Sequence, residues 1–396
     1  MVGCDINPRV VEMVNAGFSP VVGEAGLDEA VAAAVAKGLL TATTDTAEGV
    51  RGSDAVVVIV RVVVNSQKQP DLSIIEAATR QVANGLHPGC LVIYESTLPV
   101  GTVRDHLRPL LEESGLTAGR DFFLAFSPER VSTGRIFRDL QEYPKIVGGI
   151  NPESTEKAVA FYRAVLDAEV RAMSSLETAE FVKLAETTYR DVNIALANQL
   201  ARYAVRHGID ATEAFKAANS QPYSHLHDPG VGVGGHCIPV YPHFLLNGAG
   251  DLPLVELSRR TNDGMAAYAV DRLAEALGSL DEKTILILGL AYRGGVKEDG
   301  FSSAFLLAQE LGQRGAHPIV HDPLYSAVEI EARGLAPADL ASLPRIEAVI
   351  LQSYHDEYKA LDFSRFDGCK AVVDGRNVLD RRHIESVGMK YIGIGR

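Results

Sequence analysis

Long apolar runs are missing from this sequence, and cysteine is scarce. No stretch of the 396 residues approaches the ~20 consecutive apolar residues that a membrane-spanning helix needs. Met1 is not followed by a basic and then an apolar signal segment. The four cysteines, Cys4, Cys90, Cys237 and Cys369, lack the spacing of metal ligands, so free thiols in a reducing compartment are expected. These absences predict a cytoplasmic protein without a membrane or metal partner.

Positive charge is also in short supply. The chain has 38 basic and 51 acidic residues, a net charge of −13, which argues against a nucleic-acid partner. An anionic small molecule is still allowed, because a few local arginines and lysines can hold it against the overall field. The chain is too long for one ordinary core, so two or three domains are expected.

Strands and helices alternate in both halves of the chain. Residues 55–60 form an unbroken β-branched run that predicts a strand buried on both faces. Residues 91–97 and 122–126 predict strands followed by polar side chains, and residues 284–376 repeat the alternation. The pattern predicts two parallel sheets with ligand crevices at the carboxyl ends of their strands.

A central helical region separates these halves. Residues 176–207 predict one helix long enough to span a domain or an interface, and residues 257–277 predict another. Lys183, Thr187 and Arg190 fall on one face of the first helix. Either this face is solvated or, since apolar residues flank it, the three side chains serve a site.

Residues 229–240 read PGVGVGGHCIPV, with four glycines in the eight residues ahead of Cys237. Glycine allows positive φ and a close approach of backbone to ligand. A thiol on such a loop is reachable, as a nucleophilic cysteine must be. The alternative is a glycine-rich turn around a buried cysteine that acts as a small hydrophobe. The stretch alone leaves both interpretations open.

Asp5 follows the first predicted strand. An acidic residue there holds adenosine ribose hydroxyls in dinucleotide folds, about 20 residues after a G-x-G-x-x-G turn. The alternative is a cap for the helix that begins at Pro8. No such turn precedes Asp5, so we expect that the first strand and its turn are missing through an internal start codon. We expect weak or no NAD binding without an upstream extension.

Four motifs occur in order: ESTLPVGT at residues 95–102, SPERV at 127–131, the helix segment 183–198, and GVGGHCIP at 232–239. Together they resemble the nucleotide-sugar 6-dehydrogenases, the family of UDP-glucose and UDP-N-acetylmannosamine dehydrogenases. The similarity covers residues 2–376. The wording YRDVNIA at 189–195 and the GGHCIP form look more like the UDP-N-acetylhexosamine branch.

The resemblance implies an α/β fold with two Rossmann-like, doubly wound parallel-sheet domains joined by a helical region with one long helix. Residues 1–170 would bind NAD, residues 171–278 would dimerise and carry the catalytic lysine and cysteine, and residues 279–396 would bind the UDP-sugar. It also implies a homodimer or larger homo-oligomer, a UDP-sugar substrate of the N-acetylhexosamine type, and a role in polysaccharide biosynthesis.

The resemblance further implies a four-electron oxidation. The C6 hydroxyl gives a hydride to a first NAD, Cys237 attacks the aldehyde, and a second NAD takes a hydride from the thiohemiacetal. Water then hydrolyses the thioester to the uronate. A thiol suits this task because it holds the carbon tetrahedral while the second hydride leaves. Lys183 would stabilise the oxyanion, and Thr97 with Glu129 would position or activate the water.

Binding residues follow from the same resemblance. Asp5, Arg61 and Thr97 would contact NAD. The sugar nucleotide would be bound by Arg130, Val131, Lys183, Thr187, Arg190, Gly234 and Arg293. Some positions depart from the family, which usually has asparagine at Thr187, aspartate at Tyr241 and often arginine at Gly300. A tyrosine with a pKa of about 10 is a poor base at neutral pH, which favours Glu129 as the base.

Three alternatives remain open. A UDP-glucose 6-dehydrogenase would use the same chemistry on another sugar. A two-electron β-hydroxyacid dehydrogenase shares the domain order and a helix lysine but needs no cysteine, and would yield one NADH per substrate rather than two. A UDP-sugar-binding protein without activity would explain Tyr241 and the missing glycine turn.

Overall fold

A computed structural model describes residues 1–21, 23–248 and 250–396 of the chain. These residues form two compact units. The first contains Met1–Glu186 and His243–Gly250, and the second contains Thr187–Pro242 and Asp251–Arg396. Within the described residues, no helix is long and apolar enough to cross a membrane.

The described strands of the first unit form a parallel pair, a mostly parallel five-stranded sheet and the antiparallel pair β4–β5. The strands β1 (Val2–Cys4) and β2 (Thr41–Thr43) pair with each other. A separate sheet has the order β3-β6-β7-β8-β9, with only the β7–β8 pair antiparallel among its described ladders. The remaining strands of this unit are β3 (Ala55–Val58), β4 (Val63–Val64), β5 (Pro70–Asp71), β6 (Leu91–Tyr94), β7 (Phe123–Phe126), β8 (Lys145–Gly149) and β9 (Val170–Ala172).

Helices cover the sheet of the first unit, and a π-helical turn spans Val103–Leu107. The core beneath α7 consists of Leu91, Ile93, Ala125 and Val147 from three neighbouring strands. Because β6 and β7 run parallel, the residues after both strands lie at one edge of the sheet. The helices are α1 (Pro8–Asn15), α2 (Leu27–Ala36), α3 (Thr46–Arg51), α4 (Ser73–Gly85), α5 (Arg108–Glu112), α6 (Ile136–Glu142) and α7 (Pro152–Val165).

The prediction that residues 55–60 form a strand buried on both faces is wrong. The strand ends at Val58, and the side chains of Val57 and Ile59 are 38% and 71% exposed. In the described part of the chain, β3 lies at the edge of its sheet and pairs with β6 alone. An edge strand has neighbours on one side only, so an apolar run does not ensure burial.

The long helix α8 (Leu176–Arg206) ends within one residue of the predicted position. It is followed by α9 (Ala211–Ala218) and α10 (Tyr241–Gly248). The single helix predicted over residues 257–277 is wrong, because the structure has α11 (Pro253–Asp263) and α12 (Met265–Leu277). The helix is interrupted at Gly264, where ψ is −5° instead of the value of about −42° found in an α-helix.

The second unit contains a fully parallel sheet with the order β12-β11-β10-β13-β14-β15. Its order reverses between β10 and β13, and the predicted α/β class is therefore confirmed. In a doubly wound sheet, a ligand crevice is expected at the carboxyl ends of the two strands between which the order reverses. The elements are β10 (Thr284–Leu288), α13 (Ser303–Gln313), β11 (His317–His321), α14 (Ala327–Glu331), β12 (Ala336–Pro337), β13 (Ala348–Leu351), two 3-10 turns (Asp356–Ala360 and Phe363–Arg365), β14 (Ala371–Asp374), α15 (Arg381–Ser386) and β15 (Lys390–Gly393).

Candidate active site

Polar residues follow β6 and β7 at the carboxyl edge of the first unit's sheet. Glu95, Ser96 and Thr97 come after β6, and Glu129 comes three residues after β7. The Glu129 N–H donates to the Glu95 carbonyl at 3.3 Å, and Ser96 Oγ donates to the Val60 carbonyl at 2.6 Å. Thr97 is buried. Two predicted site residues, Thr97 and Glu129, therefore lie on adjoining segments.

Lys145, which no sequence motif singles out, links the two carboxylates of this edge. Its ammonium lies 2.8 Å from Glu95 Oε1 and 3.4 Å from Glu129 Oε2. The same ammonium lies 4.9 Å from the ring centre of Tyr162, whose hydroxyl donates to Glu95. The Lys145 side chain is only 7% exposed. The one sequence signal was a lysine that opens the otherwise apolar strand KIVGG.

The surroundings of Glu129 favour its ionised form. Burial alone would raise the pKa of this carboxyl, but the Lys145 ammonium and two backbone donors outweigh it and lower the pKa. The donors are the N–H groups of Arg130 at 2.5 Å and Val131 at 2.8 Å. Burial, followed by the Glu95 charge, raises the pKa of Tyr162, which keeps that hydroxyl protonated. Glu129 is thus a carboxylate able to accept a proton.

Arg130 already has acidic and carbonyl partners in the first unit. Its guanidinium binds both carboxylate oxygens of Glu186 and donates to the Pro144 carbonyl at 2.9 Å. Val131 follows it and is partly buried. An incoming anion would compete with Glu186 for this guanidinium, because the same fork of donors suits carboxylates and phosphates.

The segment after Thr97 is held by a buried carboxylate. Glu180, on α8, accepts the N–H groups of Gly101 at 2.6 Å and Val103 at 3.0 Å. Burial raises the pKa of Glu180 to about 7 despite these donors. The carboxyl therefore titrates near neutral pH while it caps the start of the π-helical turn.

The residues predicted to contact NAD lie near the strand ends of the first unit. Asp5 follows β1 and is exposed, as is Arg61, which comes three residues after β3. The cap of α1 is Asn7, whose side chain accepts the Arg9 N–H at 3.1 Å. The alternative that Asp5 caps this helix is therefore wrong, although Asp5 accepts the Asn7 N–H at 2.8 Å. An exposed carboxylate after a parallel strand fits ribose hydroxyls.

The three polar residues predicted on one face of α8 differ in exposure. Lys183 and Thr187 are buried, whereas Arg190 is exposed. The alternative that this helix face is solvated is therefore wrong for Lys183 and Thr187. Burial, and then the Arg190 charge, lower the pKa of His227, which precedes the Cys237 loop in the second unit.

The Cys237 loop, residues 229–240, is fixed to the second unit by its backbone. The N–H of Gly230 donates to Asn198 Oδ1 at 3.0 Å, and the N–H of Gly235 donates to the Gly300 carbonyl at 2.8 Å. The Cys237 carbonyl accepts the Tyr241 N–H at 3.0 Å, where α10 begins. The loop is thus ordered at both ends and in its middle.

Two of its glycines are required by space. A Cβ on Gly232, whose φ is +136°, would lie 2.6 Å from Ser303 Oγ. A Cβ on Gly234 would lie 2.6 Å from the Cβ of Tyr292 and 3.0 Å from the Phe301 carbonyl. These contacts press the loop against the segment after β10, in which the predicted substrate residue Arg293 is exposed. The glycines therefore serve close packing as well as loop conformation.

Cys237 is half-buried at the end of this glycine run. The other thiols of the second unit and of the sheet core are poor nucleophiles. Burial raises the pKa of Cys90 to about 11 and that of Cys369 to about 11. Cys90 and Cys369 are therefore poor candidates, because a thiol attacks in its deprotonated form.

The predicted residues fall into two groups. In the first unit, the structure places Thr97, Glu129, Arg130 and Val131 at one sheet edge, and Lys183 on α8. In the second unit, Gly234 and Cys237 share one loop, which packs beside the segment of Arg293.

Comparison with known families matches the chain along most of its length. Residues 1–166 match the NAD binding domain of the UDP-glucose/GDP-mannose dehydrogenase family, residues 177–264 its central domain, and residues 286–381 its UDP binding domain. The chain belongs to this family. It is an NAD-dependent UDP-sugar dehydrogenase, and the predicted family, enzyme class and cofactor are confirmed.

Individual relatives cover nearly the whole dehydrogenase. The UDP-N-acetyl-D-mannosamine dehydrogenase of Pyrococcus horikoshii is 35% identical over 100% of this chain and 93% of its own length. An NDP-N-acetyl-D-galactosaminuronic acid dehydrogenase of Ralstonia nicotianae is 34% identical over 97% of this chain and 92% of its own.

Solved structures agree with this relationship. The Pyrococcus horikoshii enzyme has a TM-score of 0.90 at 34% identity, covering 100% of this chain and 93% of that one. A UDP-glucose dehydrogenase from Pyrobaculum islandicum has a TM-score of 0.89 at 28% identity, covering 100% of this chain and 91% of that one. The fold is therefore shared by enzymes named for different sugars.

Proposed function

We propose that this dehydrogenase oxidises the C6 hydroxyl of a UDP-N-acetylhexosamine to the uronate through a covalent intermediate on Cys237. The observation that carries the proposal is the ordered glycine loop that presents the half-buried Cys237. The relatives named for N-acetylated sugars, at 35% and 34% identity, support the choice of substrate.

Bound NAD would accept the hydrides, one for each of two oxidation steps. The Cys237 sulfur adds to the aldehyde that the first step leaves, and the carbon becomes tetrahedral again. Removal of the second hydride from that adduct gives a thioester, and water cleaves it to the carboxylate and the free thiol. The cysteine is regenerated, so the enzyme returns to its starting state.

The other catalytic roles fall to residues of the first unit. Glu129, with its lowered pKa, accepts a proton from the attacking water, and the buried Thr97 orients that water. The Lys183 ammonium stabilises the negative oxygen of the tetrahedral states.

The binding roles divide along the chain. Residues 1–170 bind NAD, with Asp5 at the ribose hydroxyls and with Arg61 and Thr97 beside the cofactor. Residues 171–278 dimerise and carry Lys183 and Cys237, and residues 279–396 bind the UDP moiety. Substrate contacts come from Arg130, Val131, Lys183, Thr187, Arg190, Gly234 and Arg293.

A panel of UDP-sugars tests the proposal. UDP-N-acetylmannosamine and UDP-N-acetylgalactosamine are expected to give two NADH per sugar, with UDP-glucose turned over more slowly. Cys237→Ser should abolish uronate formation, and Cys369→Ser, which alters a partly buried thiol of the same unit with a raised pKa, should leave it unchanged. Full uronate formation by Cys237→Ser would refute the proposal of a covalent intermediate on Cys237.

UDP-glucose is the second candidate substrate. The observation in its favour is the fold similarity to the Pyrobaculum islandicum enzyme, at a TM-score of 0.89. Preference for UDP-glucose in the panel would replace the first choice of sugar and leave the chemistry intact. One NADH per sugar would instead indicate a two-electron dehydrogenase, and binding without turnover would indicate a protein that has lost its activity.

We also propose a cytoplasmic homodimer that contributes uronates to polysaccharide synthesis. Exposed apolar side chains recur along the part of α8 that belongs to the second unit, namely Tyr189, Leu196, Leu200 and Tyr203. Their spacing places them on one helix face. A helix face of this kind is suited to pairing with a second copy of the chain.

A further inference from the structure

A buried polar chain in the second unit connects the two ends of the Cys237 loop. At one end, Asn198 Oδ1 accepts the Gly230 N–H at 3.0 Å. Asn198 Nδ2 donates to Asn262 Oδ1 at 2.9 Å, and Asn262 Nδ2 donates to Asp191 Oδ1 at 2.8 Å. Both asparagines and the aspartate are buried. The first half of this series of hydrogen bonds therefore runs from the loop to the carboxylate of Asp191.

The second half returns from Asp191 to the residue after the cysteine. Asp191 Oδ1 accepts from Arg259 Nη1 at 2.5 Å, and the same nitrogen lies 3.5 Å from the Ile238 carbonyl. The other end of the guanidinium donates to Asp263. Arg259 is only 3% exposed. One arginine thus contacts the loop and two carboxylates.

Stability alone does not account for this arrangement. A buried ion pair returns about as much free energy as its desolvation costs, so an apolar pair of equal volume would serve the core equally well. Burial raises the pKa of Asp191 even with the Arg259 guanidinium beside it. What an apolar pair could not supply is directional hydrogen bonds to two fixed points of the loop.

We propose that Asn198, Asn262, Asp191 and Arg259 are positioning residues that fix the Cys237 thiol for its attack on the substrate carbon. They act through the backbone of Gly230 and Ile238, and none of them needs to touch the substrate. The proposal rests on the proposed covalent role of Cys237. Loosening either attachment lets the thiol move, which lowers its capture of the aldehyde and makes it more accessible to solvent.

Asn198→Ala tests the proposal, with Gln199→Ala as the matched control. Gln199 Nε2 donates to Thr261 Oγ1 at 3.0 Å. The control substitution therefore also removes one hydrogen bond between α8 and α11, but this bond does not involve the Cys237 loop. The probe is iodoacetamide, with alkylation of Cys237 measured by mass spectrometry relative to that of the exposed Cys4. A second readout is NADH formed per UDP-N-acetylmannosamine.

For Asn198→Ala we expect Cys237 alkylation to rise by about fivefold, the factor that matches one lost hydrogen bond. The NADH yield should fall below two per sugar, because the first oxidation does not need the thiol. A general loss of structure would instead lower both oxidations together. Should Asn198→Ala not fold, Arg259→Lys keeps the charge beside Asp191, but its single nitrogen cannot replace the two guanidinium nitrogens that contact Asp191, the Ile238 carbonyl and Asp263, and the same two changes are expected.

The two readouts separate the proposal from the function on which it rests. Increased alkylation with an unchanged NADH yield would confirm that these residues fix the Cys237 loop. It would also show that Cys237 takes no part in the reaction. Alkylation equal to that of Gln199→Ala in both Asn198→Ala and Arg259→Lys would overturn the positioning role, whatever the NADH yield.

Discussion

Replacing Lys145 with methionine is expected to destabilise the first unit strongly. The ammonium lies 2.8 Å from Glu95 and 3.4 Å from Glu129, and the Lys145 and Glu95 side chains are only 7% and 12% exposed. Methionine fills a similar volume but leaves both carboxylates without their cation. Breaking a buried pair in this way costs about 3–5 kcal/mol.

The contribution of Glu129 to stability should depend on pH in opposite directions in the variant and in the wild type, whereas the contribution of Glu180 is common to both proteins. The pKa of Glu129 is lowered in the folded protein, so its contribution to stability is present above the ordinary value and is lost as the pH falls through the lowered one. Without Lys145, burial raises that pKa instead. The variant should therefore gain stability as the pH falls from about 8 to about 5.

Scanning calorimetry at about pH 8 is the assay, with Lys145→Arg as the control that keeps the positive charge. For a unit of this size, the loss corresponds to a decrease in melting temperature of about 10 °C. Lys145→Arg should lose much less. A melting temperature for Lys145→Met within about 2 °C of the wild type at this pH would refute the electrostatic account of the sheet edge.

Three further predictions concern other parts of the chain. Gly234→Ala places a Cβ 2.6 Å from the Cβ of Tyr292 and should lower uronate formation by at least about tenfold. Gly312→Ala is the control, because its Cβ would meet no atom within 4 Å outside its own helix backbone and chain neighbours. Equal activities of the two variants in a turnover assay would contradict this prediction. The pKa of Glu180 is raised to about 7, so wild-type stability should fall as the pH rises from about 5 to 8, by on the order of 3 kcal/mol, and Glu180→Gln should flatten that slope in thermal melts. Leu196→Lys should convert the proposed dimer to a monomer in light scattering, and an unchanged mass would exclude this helix face.

Most of the fold could be predicted from the sequence because its elements follow local rules. The helix over residues 176–207 was set by its apolar periodicity, and the structure ends it at Arg206. The strand β13 (Ala348–Leu351) lies within the alternation predicted over residues 284–376 and is a short apolar run. These signals are carried by neighbouring residues and need no tertiary information.

The errors arose where tertiary context decides. The exposure of Val57 and Ile59 depends on which strand lies beside β3, which a β-branched run cannot specify. The break at Gly264 depends on one backbone angle inside an otherwise periodic segment. The strand of Lys145 ends in two glycines, which weakened its strand signal.

The site shows the same division. The glycine loop and Cys237 stand out in the sequence because they are contiguous. Lys145 and the polar network from Asn198 to Arg259 do not, because the pairs Lys145–Glu129, Asn198–Asn262 and Asp191–Arg259 are 16, 64 and 68 positions apart and meet only through folding. Contacts of this kind need a structure.

The most direct test of the central claim is the mass of the Cys237 peptide during turnover. The enzyme is mixed with NAD and UDP-N-acetylmannosamine, quenched with acid at early times, and digested. We expect the mass of an acyl group on Cys237 alone, rising and decaying as the second NADH appears. An unmodified Cys237 throughout a reaction that yields two NADH per sugar would contradict the account.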